Sequence, residues 1–140
     1  MAMTTRTFCL VFLWLLFGSA AAQAQSAITL DLNKLEPREN ACRAYFILEN
    51  ATESQFSGFT LDLYIFDSEG IIAKRLVVDT APLIPAKTRI RPVDIREMAC
   101  EQVSKIVVND VIDCKDGSGE RKDCVSQLGL TNRTAAEFGM

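Results

Sequence analysis

Apolar and polar residues alternate with a period of two along most of this chain, which restricts it to strands that bury one face. The clearest run is Phe59 to Phe66. There Phe59, Leu61, Leu63 and Ile65 mark an inner face, and Thr60, Asp62, Tyr64 and Phe66 an outer one. Ile28, Leu30 and Leu32 alternate in the same way with Thr29, Asp31 and Asn33. Cys42 to Glu49 follows with Ala44, Phe46 and Leu48 inward. Further strands are predicted over Ile71 to about Thr80, Lys87 to Val93 and Ser104 to Ile112.

The segments between these runs carry turn chemistry. Pro37 is expected to break the chain within a polar loop, Glu36 to Asn40, and Asn50 to Ser54 is turn-like. Asp67-Ser68-Glu69-Gly70 has the signature of a tight hairpin, because Asp bonds nearby backbone and Gly accepts positive φ. Pro82 and Pro85 bracket a loop, and Pro92 places the fifth strand at a sheet edge, since proline cannot donate to a ladder. Asp94 to Cys100 is ambiguous and could form a helical turn. No long amphipathic helix separates the strands. The expected fold is all-β: an antiparallel, immunoglobulin-like two-sheet sandwich of about six or seven strands.

The first residues have a different character. Arg6 precedes an apolar run, Phe8 to Phe17, which is followed by small residues ending at Ala24. This is the order of a secretory leader, with cleavage expected after Ala24. The run is about ten residues, half of the ~20 that a spanning helix needs, so no membrane insertion is expected after cleavage. The predicted organisation is therefore a leader at 1–24, a sandwich domain at 25–127 and a flexible tail at 128–140. Loss of Arg6 leaves an acid excess of about four, which disfavours bulk attraction to nucleic acid.

Beyond the leader stand Cys42, Cys100, Cys114 and Cys124, an even set that reads as two disulfides in an exported chain. If successive strands alternate in direction, Cys42 and Cys100 fall at one end of the sandwich. Pairing across opposite ends would exceed the ~7 Å Cα limit, so Cys42–Cys100 with Cys114–Cys124 is predicted. The sequence contains no histidine. Ser-His-Asp and Cys-His catalysis and histidine-ligated metals are thereby excluded, and no catalytic residue, metal ligand or cofactor site is assigned.

Three features suggest binding. Lys87, Arg89 and Arg91 share one face of the fifth strand by alternation, either to meet an anionic partner or to block edge-to-edge aggregation. Tyr45 with Ile47, and Tyr64 with Phe66, lie on the face away from the core, where they offer an apolar contact surface or are covered by a loop or the tail. Asp113 to Asp123 offers oxygen ligands near glycines, but Lys115, Arg121 and Lys122 interrupt any calcium-loop spacing.

Residues 42 to 112 run from a strand ending at Glu49-Asn50, through Phe59 to Asp67 and Gly70, to a proline-containing loop and a basic strand. This order resembles the FxLYD-like group of bacterial immunoglobulin-like envelope domains. The Leu32-Asn33-Lys34-Leu35 and Ala41-Cys42-Arg43-Ala44 stretches are similar to uncharacterised exported proteins of alphaproteobacteria. The resemblance implies an envelope domain and supplies no catalytic residue. The expected function is that of a non-enzymatic periplasmic or secreted accessory module contacting another envelope protein. A small carbohydrate- or ion-binding domain, or a structural or stress protein, are the alternatives.

Overall fold

The computed structural model describes residues 26–140; the predicted leader lies outside them. Nine strands form: β1 (Ile28–Arg38), β2 (Ala41–Asn50), β3 (Gly58–Phe66), β4 (Ile72–Asp79), β5 (Thr88–Arg96), β6 (Lys105–Asp116), β7 (Gly119–Glu120), β8 (Leu128–Asn132) and β9 (Glu137–Gly139). One sheet has the order β5-β2-β1-β8, the other β4-β3-β6-β7, with β9 also paired to β6. Their inner faces pack together as a sandwich-like all-β fold. Leu30, Leu32, Phe46 and Leu48 from the first sheet and Phe59, Leu61, Leu63 and Ile65 from the second are fully buried. Each such side chain contributes roughly 1.5–3 kcal/mol by leaving water.

Period-two alternation placed every one of these core residues correctly. The Asp67–Gly70 turn is also as expected: the Asp67 carboxylate accepts from the Glu69 and Ile71 amides, and Gly70 has φ +78°. The Pro82–Pro85 loop is pinned by Leu83, which is buried and exchanges both backbone hydrogen bonds with Phe56.

Two boundaries differ from expectation. Pro37 does not end β1, which continues to Arg38 and turns only at Glu39-Asn40, with Asn40 at φ +53°. Proline is tolerated because β8 pairs with β1 only as far as Leu32, so Pro37 stands where β1 is a sheet edge. Asp94 to Arg96 completes β5, and the only helical element near it is a short 3-10 turn at Cys100–Gln102.

The larger correction concerns residues 128–140, expected to fray. They form β8, parallel to β1, and β9, parallel to β6, so both sheets are mixed. Leu128 and Ala136 are buried and Phe138 packs on Phe46 with ring centroids 5.9 Å apart. Leu128 and Leu130 stand opposite Ile28 and Leu30, so the segment buries its apolar positions despite its polar composition.

The disulfides join Cys42 to Cys100 and Cys114 to Cys124, with Cα separations of 4.8 and 6.5 Å. Both bonds match the pairing inferred from strand direction and fit an oxidising compartment.

Truncation after Gln127 removes β8 and β9 and uncovers Ile28, Leu30 and Phe46. Urea denaturation should show the truncated protein less stable by several kcal/mol, or no longer folding cooperatively. A frayed tail would leave the midpoint unchanged.

Candidate functional site

The outer face of the β5-β2-β1 sheet carries a cluster built by cross-strand register. Tyr45 stands opposite Pro92 on β5 and Lys34 on β1, and Ile47 stands opposite Ile90 and Asp31. Ile90, on the edge strand, is 61% exposed. Directly opposed side chains on one face lie close enough to touch, so Tyr45, Ile47, Ile90 and Pro92 form one apolar strip.

Polar side chains beside that strip are held by each other. Arg43 grips Asp94 through two bonds, Nε to Oδ1 at 2.6 Å and Nη2 to Oδ2 at 2.9 Å. The Arg43 hydrogen bond holds the Asp94 carboxyl below its ordinary range. The Tyr45 hydroxyl donates to Glu36 Oε2 at 2.8 Å, and Lys34 reaches Glu36 Oε1 at 3.0 Å with its ammonium 5.8 Å from the Tyr45 ring centre. Those two bonds, the tyrosine's first, lower the Glu36 carboxyl. With its charges mutually satisfied, the frame presents little net field, and exposed apolar area is what the strip offers.

The sequence-predicted binding residues do not form one surface. Tyr64 and Phe66 lie on β3, on the outer face of the other sheet and thus on the far side of the sandwich from Tyr45. There Arg75 lies 5.9 Å from the Tyr64 ring and bonds the buried Asp62 at 2.7 Å, while Asn109 donates to the other Asp62 oxygen. The Arg75 bond, reinforced by Asn109, lowers the Asp62 carboxyl against its burial.

The basic triplet is also divided. Lys87 precedes β5 in a turn, its amide bonded to the Ile84 carbonyl. Arg89 and Arg91 stand opposite the buried Leu48 and Phe46, and share their face with Val93 and Ile95. They therefore point inward at the sandwich's edge and not toward a partner on the outer face. Arg89 Nη2 donates to the Ala81 carbonyl at 3.1 Å, while its Nε is buried without a partner among the described residues. Inward-facing charge on an edge strand is a known device against edge-to-edge pairing. Ile90 was missed because attention went to the cations on the alternate positions of the strand. The buried end of the strand, Val93 and Ile95, held the correct phase.

In the Asp113–Asp123 stretch the three aspartates are occupied by cations. Asp113 pairs with Lys115 at 3.0 Å, and Arg121 bridges Asp116 and Asp123 at 2.8 and 2.7 Å. No group of three metal-ligating side chains occurs among the described residues, nor any helix long and apolar enough to cross a membrane.

No family model matches the chain, and no curated protein matches it. The structure is similar to that of IrmA from Escherichia coli, with a TM-score of 0.58 and 15% sequence identity, over 79% of this chain and 95% of that one. At this identity the likeness concerns the fold alone, and it agrees with a sandwich.

The Arg121 bridge has a pH signature. Hydrogen bonds from Ser118 and Arg121 bring the Asp116 carboxyl down to about 2, and Arg121 does the same for Asp123. A folded-state value below the unfolded one contributes stability above the ordinary carboxylate range of 3.8 and loses it as pH falls toward 2. Arg121→Gln should lower stability near neutrality and make the acid-side decline shallower than in the parent. A parallel decline in both proteins would show the bridge to be without effect.

Proposed function

We propose that this protein is a non-enzymatic accessory module of the cell envelope. It contacts another envelope protein through the outer face of the β5-β2-β1 sheet. The observation that carries this reading is the Ile47–Ile90 pair. It leaves a large aliphatic side chain 61% exposed within a strip whose polar neighbours already bond one another. Such a strip gains by meeting a complementary apolar patch, and the satisfied frame around it forms a polar rim. Of the C-terminal strands, β8 runs along the opposite edge of this sheet beside β1 and β9 pairs with β6 in the other sheet, so neither covers it.

Two observations support an exported compartment. The leader-like Arg6 and Phe8–Phe17 sequence suits export, and the two disulfides suit the periplasm or the exterior, where thiols are oxidised. The resemblance of residues 42–112 to envelope immunoglobulin-like domains points the same way. No cofactor enters this reading.

The test is site-specific photo-cross-linking in cells, with the reactive group at Ile90 and, separately, at Val77, which is 56% exposed on the other sheet. A single envelope protein should cross-link from position 90 and not from 77. Ile47→Asp should abolish that product while leaving the melting temperature within a few degrees, because Ile47 is only half-buried. Equal cross-linking from both positions, or none from position 90, overturns the assignment of this face.

A further inference from the structure

A concavity of about 580 Å3 opens where β1, the 3-10 turn at Cys100–Gln102 and the β8–β9 connection meet. Its origin is local. The ladder between β1 and β2 shifts register at Asn33, β8 stops pairing at Leu32, and the chain after Asn132 crosses to the other sheet. The β1 segment from Asn33 to Pro37 thereby loses its second neighbour. Leu35, Val103 and Ala136 supply apolar lining, and the volume falls within the range of small-molecule sites.

The lining carries three charged side chains: Arg133, whose amide bonds the Leu32 carbonyl, Glu101, which lies with Pro37, and between them Lys34, already paired with Glu36. At one end, Arg133 donates from Nε to Asp31 Oδ2 at 3.2 Å. Asp31 also accepts from Thr131 at 2.6 Å and Asn33 at 3.0 Å, so its needs are met without the rest of the guanidinium. Both Nη groups of Arg133 are without hydrogen bonds among the described residues, and the side chain is 70% exposed. The backbone amides of Ala135 and Ala136, on the same lining, also have no protein acceptor among those residues.

At the other end stands Glu101, exposed and without an ion pair among the described residues, on the ridge shared with a neighbouring concavity lined by Pro37, Ala99 and Gln102. Lys34 to Pro37, the β1 stretch between the ends, spans three residue-to-residue steps of strand, on the order of 10 Å. An extended tripeptide has about the same reach.

We propose that this concavity binds a short peptide of about three residues with free termini, its carboxylate on Arg133 and its ammonium on Glu101. A guanidinium fixed through Nε presents two parallel donors, the geometry that suits a carboxylate. The apolar lining between the ends suits small side chains. The site uses residues other than the Ile47–Ile90 strip, so either assignment stands without the other.

Isothermal titration of the disulfide-intact protein with trialanine, N-acetyl-trialanine and trialanine amide tests the inference. Trialanine should bind, and blocking either end should weaken binding about tenfold or more, as expected for loss of a charge-assisted bond. Arg133→Gln should reproduce the effect of the amide and add nothing to it. Glu101→Gln, on an exposed turn, should likewise reproduce the effect of acetylation. Melting temperatures near the parent's would show that both variants are folded, and the blocked peptides test each end without any substitution. Absence of trialanine binding at millimolar concentration, indifference to blocked ends, or a loss confined to one end would each overturn the proposal.

Discussion

Two facing sheets leave two lateral openings, and the inner side chains stay dry only if both are closed. Here each opening is closed by a different device. On the β1–β6 side the chain crosses between sheets twice, through Arg121–Gln127 and again through Arg133–Ala136, laying β8 and β9 along the way. Leu128 and Leu130 cover Ile28 and Leu30, and Phe138 reaches Phe46. Cys114–Cys124 anchors the first crossing to β6, limiting how far the segment can peel away. On the β4–β5 side, Leu83 plugs one end against Phe56, and Arg89 bonds the Ala81 carbonyl.

These two closures also divide what was legible in the sequence from what was not. Alternation in β1, β2 and β3 was unambiguous because both neighbours of each strand enforce it, and the core followed directly. The disulfide pairing followed from strand direction alone. The tail was misread because β8 is five residues long and β9 three. A parallel strand that short shows no convincing period, and Gly129, Thr131 and Asn132 dilute its two leucines. What holds it is tertiary: pairing to β1 and one aromatic contact, neither of which appears in local composition. The candidate surface failed in a related way. Tyr45 and Tyr64 have the same outward phase, but phase does not say which sheet a strand joins, and β2 and β3 join different ones.

Charged residues on this small sandwich follow one rule on both faces: a shielded carboxylate sits beside an arginine and at least one further donor. Asp62 has Arg75 and Asn109; Asp31 has Arg133, Thr131 and Asn33; Asp116 has Arg121 and Ser118. A carboxylate removed from water without such partners would be destabilising. With them it links strands that are far apart in sequence, as Asp31 does to β8. Histidine is absent from the chain, so the framework lacks the side chain whose charge ordinarily changes between pH 5 and 8.

The β5 edge and the face beside it differ in what they could offer another chain. Strand addition needs a run of free backbone donors and acceptors along an edge, with side chains that tolerate the newcomer. The β5 edge has Pro92 at its middle, which removes a donor, and Arg89 and Arg91 turned inward, so an added strand would bring new backbone against partly buried cations. Both features oppose pairing at this edge. The adjoining face has neither obstacle. Its register sets Ile47 against Ile90 and Tyr45 against Pro92, and the same proline that weakens the edge contributes a rigid apolar surface to the strip. On β5 the edge is therefore obstructed while the face beside it stays open. Of the cations that first suggested an anionic partner, Arg89 and Arg91 face inward at this edge, where they oppose pairing.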